Sequence, residues 1–251
     1  MAADAAPGIR LALRPVGAAA SLTAAALVLA LSGCGPAPSP PEFVPATTVV
    51  TLGDSVPSGF ACECTAFPEL YAHHEHASSV NLAKAGSTSA TVRAELDDPA
   101  VRAALADADE VLLMVGANDV SDTFTDQDAV TAAAADVHTN VRAIIDAIQA
   151  VHATNVIVLG YWNVVSDGKT ALDAYGENGV TASRRATDTI NAALAAAARE
   201  GGAAYVSTDP AFHGADGAQD PTPLLVADGD HPDSAGHIAI AQLLPPLKTA
   251  T

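Results

Sequence analysis

Five short β-branched or continuously apolar runs punctuate the chain, and a helix-like stretch separates most neighbours. The runs are residues 47–52 (TTVVTL), 79–82 (SVNL), 110–115 (EVLLMV), 155–160 (NVIVLG) and 203–207 (AAYVS). Each has strand length. Runs without polar alternation, such as 110–115, suit strands buried on both faces. The intervening segments read differently. Residues 67–75, 88–97 and 99–106 look helical. Within 128–152, Val130, Val137, Val141, Ile144, Ile145 and Ile148 lie along one stripe, as in a helix with one buried face. A further helix is predicted over 180–200, stopped by Gly201 and Gly202. A last one is predicted over 234–244, stopped by Pro245 and Pro246. Parallel strands need crossover connections, usually helices. The expectation is an α/β fold with a central five-stranded parallel sheet covered by helices on both faces. In such sheets reactive groups gather in the loops beyond the carboxyl ends of the strands.

Four stretches in or near such loops carry chemistry. Gly53-Asp54-Ser55-Val56 follows the first run. The glycine permits a sharp turn, and Ser55 is a candidate nucleophile. Gly86 sits in the loop Lys84-Ala85-Gly86-Ser87, where its backbone N–H can serve as an oxyanion donor. Asn118, in Gly116-Ala117-Asn118-Asp119, offers a side-chain amide for the same purpose. Asp228 and His231 are three residues apart, so in a tight turn the carboxylate can orient the imidazole as a general base. Taken singly, each has an ordinary reading: a cap or turn serine, a turn glycine, a turn asparagine, an Asp/His loop before a helix. Asp233 or Ser234 is the better cap for that last helix.

Together, in this order, the four stretches resemble the sequence blocks of the GDSL/SGNH hydrolase family, across residues 47 to 248. The first block reads GDSV rather than GDSL, a change at an apolar position. The resemblance implies a three-layer α/β/α sandwich, SGNH/flavodoxin-like. It implies Ser55 as nucleophile, His231 as general base and Asp228 as its orienting partner. The Ser55 amide, Gly86 and Asn118 would form the oxyanion hole, while Asp54 and Asp119 would brace the loops. The implied activity is that of a serine esterase or lipase working through an acyl-enzyme, with no cofactor and no metal. The same site would also suit an acyltransferase. An alternative from another class is a non-catalytic lipoprotein that binds acylated ligands or cell-wall polymer.

The N-terminus points to export. Arg10 and Arg14 precede an uncharged stretch, 16–31, rich in Ala, Leu and Val, and small residues follow it. That is the pattern of a secretory signal peptide, here residues 1–33. Leu31-Ser32-Gly33-Cys34 resembles the lipobox of bacterial lipoproteins, which implies lipidation at Cys34 and a membrane anchor; the alternatives are ordinary cleavage with release, and an uncleaved membrane helix, for which the apolar run is at the short limit. Several acyl chains hold a protein firmly where one chain gives only marginal binding. Residues 34–46 are proline-rich and read as an extended tether, about 30 Å long at roughly 3.1 Å per residue. Residues 47–251 form the hydrolase domain. The expected location is the extracytoplasmic face of the cell membrane, as a monomer. The expected partner is a lipid or small-molecule ester. With 29 acidic residues against 11 basic and a formal charge of −18, nucleic acid is not an expected partner.

Cys62 and Cys64 lie near Ser55 and leave three readings open: a strained disulfide, two thiols, or metal ligands with His73, His74 and His76. Two loops are candidates for walling an acyl pocket. One is 163–179, beside Trp162 and containing Tyr175; the other is 209–228, containing Phe212.

Overall fold

The computed structural model describes residues 47–248. The signal-peptide, Cys34 and tether assignments lie outside these residues. Five strands form one sheet: β1 (Thr48–Gly53), β2 (Ser78–Asn81), β3 (Glu110–Met114), β4 (Asn155–Leu159) and β5 (Ala204–Val206). Their order is β2-β1-β3-β4-β5, and every pairing is parallel. The chain therefore steps outward from β1 to β2, returns to β3 on the other side of β1, and continues to β5. The carboxyl ends of β1 and β3 flank the point where the order reverses, and there the loops diverge and leave a crevice.

Helices cover the two faces. α3 (Ser89–Glu95), α4 (Pro99–Ala106), α5 (Gln127–Val151) and α6 (Gly168–Glu200) pack on one another through α5. α2 (Phe67–His74), α7 (Asp209–His213) and α8 (Ser234–Leu243) form a second group. The expected stripe on α5 is buried in full, with Ala134 added to it. It packs in the same core as Val111 to Met114 of β3, all without solvent exposure. A buried Ile cut to Ala in such a core costs about 2–5 kcal/mol. Among the described residues no helix is long and apolar enough to cross a membrane.

The sheet and its order agree with the expected α/β/α architecture. One loop does not. Most of 163–179 is helical: α6 begins at Gly168 and is interrupted at Gly176, where φ is 64° and ψ 179°. Its first turns carry Lys169, Thr170, Asp173 and two glycines, so no apolar stripe announces them. They form because Asp167 caps the helix by accepting from the Gly168 N–H, and because the Lys169 N–H donates to Thr222 Oγ1 at 3.0 Å. Two short helices also lie where none was expected. α1 (Ser55–Ser58) and α7 are too short to show a periodicity.

Gly53 closes β1 at φ +154°, and a Cβ there would lie 2.2 Å from the Met114 carbonyl oxygen. No side chain fits between β1 and β3 at this register. Gly53→Ala is expected to destabilise the fold by about 1–3 kcal/mol, read as a lower midpoint in urea unfolding. A midpoint equal to that of the wild type would contradict this packing.

Candidate active site

Three of the four stretches are stitched together at the carboxyl end of the sheet. The Asp54 N–H donates to the Met114 carbonyl at 3.1 Å, and the Lys84 N–H donates to the Gly53 carbonyl at 3.0 Å. These bonds tie the loops after β1, β2 and β3 to one another. Ser55 then opens α1. Asp54 is the N-cap, accepting from the Val56 N–H, and Gly59 ends the helix at φ 73°.

Gly86 holds φ +81° in a turn closed by Ser87 N–H donating to the Lys84 carbonyl at 3.2 Å. A positive φ at the third position of a turn favours glycine. The space where a Cβ would sit is open. Asn118 lies in a single 3-10 turn just beyond β3. Its Nδ2 donates to the Ser87 carbonyl at 3.0 Å, which joins the Asn118 loop to the Gly86 turn and, among the described residues, leaves the second amide hydrogen without an acceptor. Among the described residues the backbone N–H groups of Ser55 and Gly86 have no acceptor either. Asp119 accepts from the Ser89 N–H at 2.9 Å and the Ser89 hydroxyl at 2.6 Å. It therefore braces the start of α3, as its expected structural role requires.

The fourth stretch is a turn beside this group. His231 Nδ1 and Asp228 Oδ2 are 2.8 Å apart. Asp228 Oδ1 also accepts the N–H groups of Asp230 at 2.8 Å and His231 at 3.0 Å. Burial opposes ionisation of Asp228, but these three bonds outweigh it and hold the carboxyl below its ordinary range. An ionised Asp228 fixes the proton on Nδ1 and leaves Nε2 as the lone-pair nitrogen. Phe60 links this imidazole to the serine loop. Its N–H donates to the Ser55 carbonyl at 3.1 Å, and its ring meets that of His231 edge-on with centroids 5.0 Å apart. No hydrogen bond joins Ser55 Oγ to His231 among the described residues; such contacts commonly tighten only around a substrate. Asp233, not Ser234, caps α8, accepting from Ala235 and Gly236 N–H.

Several partners of the site carried no motif. Tyr161, just past β4, donates its hydroxyl to Asp54 Oδ2, and both groups are buried. Burial pushes the Asp54 carboxyl up to about 7, against the pull of the Tyr161 and Val56 bonds. Asp167, Asp209 and His213 form a second cluster, in which Asp167 and His213 are buried and Asp209 is partly exposed. His213 Nε2 lies 2.9 Å from Asp167 Oδ2, and its Nδ1 lies 2.7 Å from Asp209 Oδ1. Asp167 before a helix is a recognisable cap signal, and Asp209 and His213 stand at i, i+4. Their convergence with each other is tertiary and has no local mark.

Cys62 and Cys64 form a disulfide, which settles the three readings. The histidine beside them is His237 of α8 rather than His73, His74 or His76: both sulfurs and a His237 ring nitrogen lie within 4.8 Å of one another. The sulfurs are committed to the bridge, and His237 Nδ1 accepts the Phe67 N–H at 3.2 Å. Trp162 stacks on Phe212 with centroids 3.8 Å apart, and both rings are almost wholly buried. The apolar cavity of about 330 Å³ between α2 and α8 and the polar cleft of about 450 Å³ beside Trp162 both lie away from Ser55. Convergence of reactive groups, not cavity size, locates the site.

Asp54 titration enters stability with a definite sign. Its folded value lies above the ordinary 3.8, so the stabilisation is fully present below that value and is lost as pH rises through about 7. Asp54→Asn removes this titration. From about pH 4 to about pH 8, wild type is expected to lose about 2–4 kcal/mol relative to D54N in urea unfolding. A constant gap across that range would contradict the burial of this carboxyl.

Residues 51–239 match the model of the GDSL-like Lipase/Acylhydrolase family. Comparison with curated proteins found no match. Among solved structures, phospholipase A1 from Streptomyces albidoflavus is 23% identical, with a TM-score of 0.60 over 79% of this chain and 98% of the other. An extracellular lipase from Streptomyces rimosus is also 23% identical, with a TM-score of 0.56 over 79% of this chain and 100% of the other. An acetylxylan esterase from Geobacillus stearothermophilus is 16% identical, with a TM-score of 0.58 over 81% of this chain and 97% of the other. At these identities the likeness is one of fold.

Proposed function

Since the chain belongs to the GDSL-like lipase/acylhydrolase family, a family of ester hydrolases, we propose that it cleaves carboxylic esters with Ser55 as nucleophile, His231 as general base and Asp228 as the base's partner. The observation that carries this reading is the 2.8 Å contact between His231 Nδ1 and Asp228 Oδ2, on a carboxylate already held by two backbone N–H groups. It fixes the tautomer that a general base needs.

The chemistry follows from the geometry. Ser55 Oγ attacks the ester carbonyl while His231 Nε2 takes its proton. Negative charge develops on the carbonyl oxygen. The N–H groups of Ser55 and Gly86 and the spare Asn118 amide hydrogen receive it, and having no acceptor among the described residues, they are not diverted. The imidazolium, steadied by Asp228, then gives its proton to the departing alcohol. Water attacks the acyl-Ser55 ester, again through His231, and the acid leaves. Substrate class rests on loop shape: lipid, short acyl and acetylated carbohydrate esters all fit this chemistry. A p-nitrophenyl ester chain-length series, with acetylated sugars alongside, separates them.

Export and a lipid anchor at Cys34 belong to the same proposal, supported by the basic start, the apolar stretch and Leu31-Ser32-Gly33-Cys34. The tether would hold the hydrolase at the outer face of the cell membrane. Mass spectrometry of the mature N-terminus is expected to find a diacylglyceryl thioether on Cys34; an unmodified Cys34, or cleavage elsewhere, would remove the anchor.

Ser55→Ala is expected to lower kcat by about 10⁴-fold and to abolish labelling by a fluorophosphonate. Asn118→Ala should cost about 10²–10³-fold in kcat with little change in KM. Wild-type turnover in the Ser55→Ala protein would rule out the acyl-enzyme route.

A further inference from the structure

The Asp167–His213–Asp209 cluster touches no reacting atom in the proposed mechanism, yet it lies directly behind the turn that carries Asp228 and His231. His213 is buried, and so is Asp167. Each ring nitrogen of His213 faces a carboxylate oxygen, at 2.7 Å and 2.9 Å. An ionised carboxylate only accepts hydrogen bonds, so with both carboxylates ionised the two contacts require both ring nitrogens to donate, as an imidazolium does.

Asp167 connects this cation to the site. Its Oδ1 accepts the Gly168 N–H at 2.7 Å and caps α6. Its own backbone N–H donates to the Gly229 carbonyl at 2.7 Å. Beside it, Ser166 Oγ donates to the Asp228 carbonyl at 3.0 Å. Gly229 sits so close that a Cβ there would lie 2.6 Å from Thr170 Cβ and 3.1 Å from the Asp167 carbonyl oxygen. Residues 166–170 thus grip the carbonyls of Asp228 and Gly229, the two peptides that lead into Asp230.

We propose that His213 is a positioning residue: its protonated ring locks Asp167, and through Asp167 the turn 228–231, into the shape in which Asp228 holds His231. The inference rests on the reading of Asp228 and His231 given above. Loss of the His213 proton from Nε2 would set a nitrogen lone pair against Asp167 Oδ2, 2.9 Å away. The contact becomes repulsive, Asp167 is released, and the grip on Gly229 loosens. The bond to Asp167, opposed by burial and aided by Asp209, holds His213 protonated above its ordinary range. Burial resists the charge on Asp167, but the His213 bond and the Gly168 N–H bring its carboxyl below the usual value.

Other charged or titratable groups share the surroundings. Arg184 and Asp188 of α6 and Tyr205 of β5 line the same cleft as His213, and Asp220 feels the charge of Asp167. Among the described residues none of these is hydrogen-bonded to the His213 ring, whose hydrogen-bond partners there are the two carboxylates.

The test uses the full chain with p-nitrophenyl acetate from about pH 5 to about pH 10, together with ¹⁵N-imidazole NMR of His231. In wild type, kcat is expected to fall on the alkaline side as His213 loses its proton. The downfield Nδ1–H resonance of His231, the signature of its bond to Asp228, should fade over the same range. His213→Gln should lower kcat at neutral pH about tenfold or more with KM within about twofold, abolish that alkaline limb, and broaden the resonance. Asp209→Asn removes one partner of the cation, so the limb should move toward lower pH by about one unit. This second variant keeps the test decisive if the first does not fold. A wild-type kcat and pH profile in His213→Gln, or an unmoved limb in Asp209→Asn, would overturn the role. If the wild type hydrolysed no ester and took no fluorophosphonate at Ser55, the functional reading would fall. The NMR arm would still decide the positioning role: coupled loss of the His231 signal supports it, and an indifferent signal overturns it.

Discussion

Parallel pairing of β1 with β3 is the contact on which the site depends. β2 lies on the far side of β1, so the two central strands end together while their connections leave in opposite directions. The register sets Gly53 against Met114, and the Asp54 N–H continues the ladder one residue further. That last bond places Ser55 at the mouth of the crevice. Gly53 is needed there because the backbone of β3 occupies the space a side chain would take.

Polar groups around this point are arranged as two braces, each centred on a buried side chain, Asp54 in one and His213 in the other. In one, the Asp54 carboxyl lies under the first loop, with Tyr161 of the neighbouring connection holding its outer oxygen. In the other, His213 stands between Asp167 and Asp209 behind the last loop. Burying a charge costs free energy unless each of its hydrogen-bonding positions is met. The braces meet that condition differently: a carboxyl pushed toward its neutral form in the first, a cation shared by two carboxylates in the second. Both fix segments that carry Ser55, Asp228 and His231 without occupying the space in front of them.

Much of this was legible in the chain. The alternation of apolar runs with helical patterns has a physical cause: a strand covered on both faces has no polar side, and a parallel neighbour requires a crossover. The stripe from Val130 to Ile148 on α5 was equally plain, as were the four stretches with Ser55, Gly86, Asn118 and Asp228/His231. Less was legible where local pattern is silent. The first turns of α6 have no apolar face and form on contacts with Thr222 and the Asp167 cap. Tyr161 and His213 were not singled out as site residues, because the partners that tie them to the site, Asp54 and Asp167, lie far away in sequence. The histidine beside Cys62 and Cys64 comes from α8 rather than from the nearby run at 73–76, since the fold, not the spacing, chooses neighbours.

Strand count, parallel pairing and the choice of candidate reactive side chains follow from the order of residues alone, because they depend on periodicity and on chemistry intrinsic to each residue. Which carboxylate meets which imidazole, which N–H groups are left without acceptors, and which buried ions stand behind the loops depend on distances of a few ångströms between segments far apart in the chain. Only the packed structure decides those, because burial and hydrogen bonding are properties of surroundings that no single segment carries.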